Sequence, residues 1–292
     1  MVAPSSTGPG PRLGDVELTR IGLGCMPLSL GPGRERGLAN ETIGSALDAG
    51  VNLLDTADAY CLDDTEIGHN ERVVARGVAA HGSARPVVAT KGGHARHGFD
   101  WDLDGSPEHL RAACEASLRA LGTETIDLYQ LHRPDPKVPY AESVGALRDL
   151  RDEGKIRHVG LSNASVAQLE EAERIVPIAA IQNELSPRYL APVENGEVEA
   201  CERRGIPFLA WSPLGGMGAH EEVPRGVAAI RALAEEREVS PQRVTLAWLL
   251  TLGESIVPLV GASRPETIRD SVAALELRLE ENELARLGGE LL

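Results

Sequence analysis

Eight short apolar runs recur along this chain, and each is followed by a longer segment with helical periodicity. Short, continuously apolar runs are typical of parallel strands that are buried on both faces. Eight strand-then-helix units without an obvious linker predict a single-domain (β/α)₈ barrel over residues 15–292, preceded by a flexible tail over residues 1–14. The predicted strands cover residues 21–26, 51–54, 86–90, 126–131, 157–161, 178–181, 207–210 and 255–259.

Capping signals support the same division. Ser106 and Ser240 each precede a proline and predict a helix start, and Ser263 with Glu266 forms a Ser-x-x-Glu capping box. Two helical stretches, 223–237 and 241–252, separate the last two strands, and residues 280–287 predict one more short helix. Glycines stand where helices are expected to end, at Gly50, Gly122, Gly154 and Gly205.

A doubly wound dinucleotide-binding sheet is the competing fold. It requires G-x-G-x-x-G between the first strand and the first helix. The only candidate segment, Gly22-Leu23-Gly24, lacks the third glycine at the required spacing. The barrel is therefore the favoured architecture.

Composition excludes several classes of function. The net charge of −15 and the absence of any Lys/Arg-rich run argue against a nucleic-acid partner. No apolar run reaches 18 residues, and the first 14 residues lack the apolar core of a signal peptide, so we expect a cytoplasmic protein without a membrane span. Widely spaced cysteines suit reduced thiols in that compartment: Cys25, Cys61, Cys114 and Cys201.

Polar residues follow six successive predicted strands. Active sites of such barrels lie at the carboxyl ends of the strands, so these side chains are expected to meet on one rim. A polar residue at any single strand end is ordinary, but these six form a chemical set of acid, amine, imidazole, amide and hydroxyl groups. They are Asp55, Lys91, His132, Ser162 with Asn163, Gln182, and Trp211 with Ser212.

Lys91 is the most informative of these residues, because the chain has only three lysines among many arginines. An ammonium whose pKa responds to burial is specifically suggested there. Tyr60 lies five residues beyond Asp55 and is a candidate proton donor, since a nearby cation stabilises a phenolate. Asp55 would hold the ammonium, and His132 would donate a hydrogen bond to a developing alkoxide. Asp58, the competing carboxylate, is expected to be an exposed loop or capping residue.

At this point the sequence resembles the aldo-keto reductase family over nearly its whole length. Any one matching segment is weak evidence, but all of them in this order are specific. The segments are G-L-G-C-M (22–26), N-L-L-D-T-A-D-A-Y (52–60), A-T-K (89–91), I-D-L-Y-Q-L-H-R-P-D (126–135), G-K-I-R-H-V-G-L-S-N (154–163), I-Q-N-E (181–184), W-S-P-L-G-G (211–216) and G-A-S-R-P-E (261–266).

The resemblance implies a role for each matching residue. Asp55, Tyr60, Lys91 and His132 match the family's catalytic tetrad, which reduces aldehydes and ketones with NADP(H) as cofactor. The matching cofactor positions are Ser162, Asn163 and Gln182 at the nicotinamide carboxamide, Trp211 against the ring, Ser212 and Leu214 along the pyrophosphate, and Gly261 and Arg264 near the 2′-phosphate.

One departure from the family pattern falls near the adenine. A Glu-Asn pair is common there, whereas this chain has Asp270-Ser271. Asp270 is the cofactor-binding residue implied at this position, and the asparagine amide of the family pattern is absent.

Several alternatives stay open at this stage. A nucleotide-sensing regulatory subunit with the same fold would bind NADPH with little turnover. A metal-dependent hydrolase is a third class, but His94 and His97 have no third ligand at a suitable spacing and are interpreted as loop residues. Trp101 is as well explained by a loop anchor as by a wall of the substrate site. The partner that the resemblance implies is a small-molecule carbonyl substrate.

Overall fold

A closed barrel of eight parallel strands forms the centre of the protein, whose computed structural model describes residues 9–216 and 227–291. Each barrel strand pairs with the barrel strands before and after it in the chain, and the last strand closes the barrel by pairing with the first. The predicted (β/α)₈ architecture is confirmed. The barrel strands are β3 (Gly22–Gly24), β4 (Leu53–Asp55), β5 (Val87–Gly92), β8 (Ile126–Leu131), β9 (Ile156–Ser162), β10 (Ile178–Glu184), β11 (Phe208–Trp211) and β12 (Ile256–Gly261).

Helices surround this barrel, and none of the helices in the described ranges is both long and apolar enough to cross a membrane. Of the predicted stretch 223–237, residues 223–226 lie outside the described part of the chain. The helices are α1 (Pro32–Arg36), α2 (Ala39–Asp48), α3 (His69–His81), α4 (Pro107–Leu121), α5 (Tyr140–Asp152), α6 (Val166–Glu173), α7 (Ala191–Glu194), α8 (Glu197–Arg204), α9 (Ala228–Arg237), α10 (Pro241–Leu249), α11 (Pro265–Val272) and α12 (Glu281–Leu291).

A hairpin closes the amino-terminal end of the barrel. Its strands, β1 (Arg12–Leu13) and β2 (Val16–Glu17), are antiparallel, and Leu13 and Leu18 are buried against aliphatic side chains of the barrel interior. Arg12 and Leu13, which lie within the segment predicted to be a tail, form β1, and Leu13 packs with Leu18 on the barrel floor. Residues 1–8 of that tail lie outside the described residues.

The capping signals are confirmed at two of the three predicted helix starts. The Ser106 hydroxyl accepts from the His109 N–H and the Ser240 hydroxyl from the Arg243 N–H, each satisfying a free donor of the first turn. The predicted Ser263 capping box is wrong. The chain stays extended through Arg264, which is the N-cap residue, and α11 begins at Pro265 without a side-chain cap.

A second hairpin rises from the opposite end of the barrel, directly after Lys91. Its strands are β6 (His94–His97) and β7 (Asp100–Leu103), and they pair antiparallel. Gly93 connects β5 to this hairpin with a φ of 107°, a left-handed conformation that glycine adopts readily. The prediction that His94 and His97 lie in an irregular loop is wrong, because both residues belong to β6.

Candidate active site

The carboxyl ends of β4 and β5 bring Asp55 and Lys91 into contact at the barrel mouth. Lys91 has no exposed surface, and its Nζ donates to Asp55 Oδ2 at 2.7 Å, to the Thr56 carbonyl oxygen at 2.8 Å and to the Tyr60 hydroxyl at 3.2 Å. All three ammonium hydrogens can therefore be satisfied. Burial acts to lower the pKa of Lys91, but the Asp55 charge and the hydrogen bonds outweigh it and raise the pKa, so the side chain is charged.

Tyr60 lies on the loop after β4, and its phenol is protonated at neutral pH. Burial raises the pKa of Tyr60 more than the Lys91 charge lowers it. The nearby cation expected from the sequence is present, but burial outweighs its effect on the pKa of Tyr60. The Tyr60 hydroxyl therefore carries its proton and lies next to the charged Lys91 ammonium.

His132 follows β8, and its ring packs edge-to-face against Tyr60, with the ring centroids 5.7 Å apart. Burial, reinforced by the charges of Lys91 and Arg133, holds the pKa of His132 well below its ordinary range, so the imidazole is neutral. Its Nδ1 is buried without a partner among the described residues. A buried N–H without an acceptor is rarer than a free lone pair, so we assign the proton to Nε2.

Amide groups at the ends of β9 and β10 complete this side of the mouth. Gln182 Nε2 donates to Asp55 Oδ1 at 2.8 Å, so both Asp55 oxygens are engaged. Asn163 takes a φ of 57°, and its Nδ2 donates to the His132 carbonyl oxygen and to Ser162 Oγ, both at 3.0 Å. The structure thus brings Gln182 onto Asp55 and Asn163 onto the His132 backbone, with Ser162 hydrogen-bonded to Asn163.

The remaining predicted cofactor positions follow β11 and β12. Trp211 ends β11, and its indole N–H is buried without a partner among the described residues. Ser212 has a φ of 52°, and Leu214 is buried two residues further on. Gly261 ends β12, where its missing side chain leaves room for Pro27, 3.0 Å from the place a Cβ would take.

Arg264 is the N-cap residue of α11, and Asp270 lies within this helix. The Arg264 side chain is about half exposed, and its Nε lies 3.4 Å from Glu266 Oε1. Asp270 differs, because both of its carboxylate oxygens are engaged inside the protein. Oδ2 accepts from the Ser240 hydroxyl and Oδ1 from Arg243 Nη2, which ties α11 to α10.

Three polar residues near the site escaped the sequence analysis. Asp58, expected to be exposed, is only 3% exposed, and its backbone N–H donates to the Lys91 carbonyl oxygen at 3.4 Å. Burial and the Glu71 charge raise the pKa of Asp58 well above its ordinary value of 3.8. Glu71, on α3, is fully buried, and its carboxylate accepts a hydrogen bond from the Thr90 hydroxyl at 2.6 Å. Arg96, on β6, is buried as well.

His94 is the second β6 residue that reaches this site. Its ring lies perpendicular to His132, with the centroids 4.3 Å apart, and edge-to-face to Trp101 at 5.3 Å. Its Nδ1 donates to the Asp102 carbonyl oxygen at 3.1 Å, since a carbonyl can only accept. Within the described residues no group of three potential metal ligands occurs, and the two β6 histidines are not arranged as a metal site.

The chain is similar to known proteins in both sequence and structure. The family model described as the aldo/keto reductase family matches residues 20–289, and the chain belongs to that family. It is 33% identical to "Probable aldo-keto reductase 1" of Glycine max over 301 aligned positions, which cover 93% of this chain and 85% of the relative. An uncharacterized oxidoreductase of Schizosaccharomyces pombe is 31% identical, with 96% and 89% covered.

Solved structures agree with this assignment. The glycerol dehydrogenase of Gluconobacter oxydans superposes with a TM-score of 0.82 at 28% identity, covering 99% of this chain and 96% of that one. An aldo-keto reductase of Klebsiella pneumoniae, crystallised with NADP and acetate, gives a TM-score of 0.78 at 25% identity, with 94% and 92% covered.

The buried Asp58 carboxyl predicts a pH-dependent stability. Because its pKa is raised in the folded state, the folded protein holds this proton more tightly than the unfolded chain does. That stabilisation is present below the ordinary Asp pKa and is lost as the pH rises through the folded-state value. We expect Asp58→Asn, which carries no charge, to lose less stability than the wild type between pH 4 and pH 8.

The measurement is urea unfolding across this pH range. Asp15→Asn, in the exposed turn between β1 and β2, is the control and should retain the wild-type profile. Parallel profiles for wild type and Asp58→Asn would show that Asp58 is not protonated preferentially in the folded state.

Proposed function

We propose that this protein reduces small aldehydes and ketones with NADPH, using Tyr60 as the general acid. The observation that carries the proposal is the contact of the buried Lys91 ammonium with both Asp55, at 2.7 Å, and the Tyr60 hydroxyl, at 3.2 Å. A protonated phenol beside a fixed cation can release its proton to a developing alkoxide, because the cation stabilises the phenolate that is left. Membership of the aldo/keto reductase family supports the same reaction class.

The groups at the barrel mouth fit a nicotinamide cofactor. Gln182 and Asn163 use their amide nitrogens within the protein, and their carbonyl oxygens receive no hydrogen bond from the described residues, so they suit a carboxamide NH₂. The Trp211 indole lies at the same rim and offers a flat apolar face. Ser162 adds a hydroxyl beside Asn163.

We propose that the rest of the cofactor extends along the ends of β11 and β12. Ser212 and Leu214 would border the pyrophosphate, and Gly261 and Arg264 the adenosine end with its 2′-phosphate. The half-exposed Arg264 guanidinium suits a phosphate, since planar N–H donors match its oxygens. For Asp270 we propose a place at the adenine end of the cofactor, where its engaged carboxylate holds Ser240 and Arg243 beside this segment.

In the proposed mechanism, bound NADPH supplies the hydride that reduces the carbonyl carbon. His132, through its Nε2 proton, donates a hydrogen bond to the carbonyl oxygen and orients it. Tyr60 transfers its hydroxyl proton to that oxygen, so the carbonyl becomes an alcohol and the tyrosine a phenolate. Lys91 stabilises the phenolate, and Asp55 keeps Lys91 charged and in place. The protein thus provides position and charge for chemistry that belongs to the cofactor.

We place this activity in the cytoplasm. All four cysteines are buried and free, which suits a reducing compartment in which disulfides are rare. This assignment is independent of the catalytic proposal.

Tyr60→Phe tests the general acid. Removal of the hydroxyl should lower kcat for carbonyl reduction by roughly 10²–10⁴-fold, the usual contribution of general acid catalysis. NADPH binding, followed by fluorescence, should persist. Tyr189→Phe, at an exposed tyrosine, is the matched control and should keep full activity. Near-normal turnover by Tyr60→Phe would refute the mechanism, and tight NADPH binding without turnover by the wild type would favour a nucleotide-sensing subunit.

Arg264→Ala tests the 2′-phosphate contact. A charge-assisted hydrogen bond contributes about 1.5–3 kcal/mol, so the Kd for NADPH should rise about ten- to a hundred-fold while that for NADH stays nearly unchanged. Arg269→Ala is the control, because Arg269 is on the same helix but donates to Ser45 Oγ on α2. Equal weakening of both cofactors by Arg264→Ala would mean that Arg264 is structural.

The position of the last helix bears on substrate size. On α12, Glu283 pairs with Arg237 of α9 at 2.7 Å, and Leu287 is fully buried. This helix therefore packs on the outer helical layer and leaves the barrel mouth to the loops that follow the strands. Trp101, 43% exposed on the β6–β7 hairpin, is one such border. A mouth bordered in this way offers little binding energy to remote parts of a bulky substrate.

We therefore predict activity on small or activated carbonyls such as short aldehydes, nitrobenzaldehydes and dicarbonyls, with KM near ~1 mM, toward the upper end of the usual range. A kinetic panel that follows NADPH absorbance will check this expectation. Micromolar KM for one bulky ketone, with small aldehydes ignored, would contradict it.

A further inference from the structure

A single buried arginine joins the β6–β7 hairpin to the loop that carries Tyr60. Arg96, on β6, is 6% exposed and makes no ion pair with a carboxylate of the described residues. Its hydrogen bonds go to backbone carbonyl oxygens instead. Nη1 donates to Ala59 at 3.1 Å and Cys61 at 2.8 Å, Nη2 to Leu62 at 2.6 Å and Phe99 at 3.2 Å, and Nε to Asp100 at 3.2 Å.

Two of these carbonyls belong to the residues on either side of Tyr60. One guanidinium nitrogen therefore binds the peptide group that joins Ala59 to Tyr60 and also the next peptide group but one, which joins Cys61 to Leu62. At Tyr60 and Cys61 the loop's own backbone hydrogen bonds are short-range turns, from Tyr60 N to Ala57 O and from Cys61 N to Ala59 O. Two residues earlier, the Asp58 N–H donates to the Lys91 carbonyl oxygen at 3.4 Å and ties the start of the loop to β5. The turns set the local shape of the loop, whereas Arg96 fixes its place relative to the hairpin.

The other end of the hairpin is held against the site by aromatic contacts. The Arg96 guanidinium carbon lies 4.3 Å from the Trp101 ring centroid, and Trp101 contacts His94, which packs on His132. Arg96 therefore connects the backbone around the proposed acid with the aromatic wall behind the proposed hydrogen-bond donor. A buried guanidinium is costly without partners, and here carbonyl dipoles replace its water.

We propose that Arg96 is a positioning residue for Tyr60: by binding the carbonyl oxygens of the residues before and after it, Arg96 clamps this stretch of the loop and holds the phenol at hydrogen-bond distance from Lys91. Arg96 touches neither the Tyr60 hydroxyl nor the reacting atoms. The kinetic consequence rests on the proposed function. A displacement of about 1 Å at a reacting group can cost about 10²-fold in rate, so the clamp acts on kcat rather than on cofactor binding.

Arg96→Lys is the first test variant. Lysine keeps the charge but is a compact point donor and cannot span carbonyls on both the loop and the hairpin. We expect kcat to fall about ten- to a hundred-fold, with the Kd for NADPH and the KM of the carbonyl changed only a few-fold. Arg96→Ala should lose at least as much, and millimolar methylguanidinium should restore part of its kcat but none of the kcat of Tyr60→Phe.

Arg20→Lys is the matched control. Arg20, which precedes β3 in the chain, is also buried. It donates to the carbonyl oxygens of Leu250, at 2.9 Å, and Gly253, at 2.6 Å. Its replacement should lower the melting temperature as Arg96→Lys does, yet leave kcat near the wild-type value. An equal loss of kcat in both variants, or wild-type kcat in Arg96→Lys, would overturn the proposal.

A readout independent of turnover separates this inference from the proposed function. The chain has four tyrosines, and ring-¹³C labelling resolves them by NMR. In Arg96→Lys the Tyr60 signal, assigned with Tyr60→Phe, should shift or broaden while those of Tyr129, Tyr140 and Tyr189 stay in place. An unchanged Tyr60 signal refutes the clamp even if carbonyls are reduced, and a moved signal supports it even if the wild type reduces none.

Discussion

The buried ion pair between Lys91 and Asp55 is the interaction on which the site depends. Removal of an ammonium from water is costly unless an opposite charge and further acceptors replace the solvent, and here Asp55, Thr56 and Tyr60 do so. Asp55 in turn receives Gln182 from β10, so the network crosses the barrel interior from β4 and β5 to the opposite strands. Loss of either charge would leave the other uncompensated, which typically costs about 3–5 kcal/mol. Only a closed barrel brings these three strand ends together.

Burial at this site shifts the pKa values of Tyr60 and His132 in opposite directions, and each shift favours the neutral form. Burial raises the pKa of Tyr60 and lowers that of His132, while the pairing with Asp55 keeps Lys91 charged. The result is one cation, one neutral proton donor and one neutral imidazole in contact. Neutral donors beside a single cation suit a reaction in which negative charge develops on an oxygen, because the field is already oriented before that charge appears.

The sequence was sufficient for the barrel, because eight continuous apolar runs have few other packed arrangements. It was also sufficient to bring Asp55, Lys91 and His132 together, since the carboxyl ends of neighbouring parallel strands share one rim. Tyr60 followed from its spacing to Asp55. The strand boundaries differ from the predicted ones by a few residues, as in β10, where the strand continues to Glu184.

What the sequence did not reveal depends on long-range burial. The segment His-Ala-Arg-His has no apolar alternation, so nothing marked it as a strand, and an arginine is ordinarily a surface residue. The burial of Arg96 arises from backbone carbonyls of a separate loop, which no side-chain pattern records. Asp58 was misjudged for the same reason, because a loop that folds inward looks like any other loop in sequence. At Ser263, an extended Arg264 displaced the expected cap by one residue.

The β1–β2 hairpin at the amino-terminal end of the barrel affects how such a protein can diversify. Leu13 and Leu18 seal the end of the barrel that is remote from Lys91, so the contacts that close the core and the groups that meet a substrate are set by different stretches of chain. Mutations can then accumulate in the loops of the open end while the opposite end keeps the barrel assembled. A lineage built on this plan can remodel the loops around its barrel mouth without first rebuilding its fold.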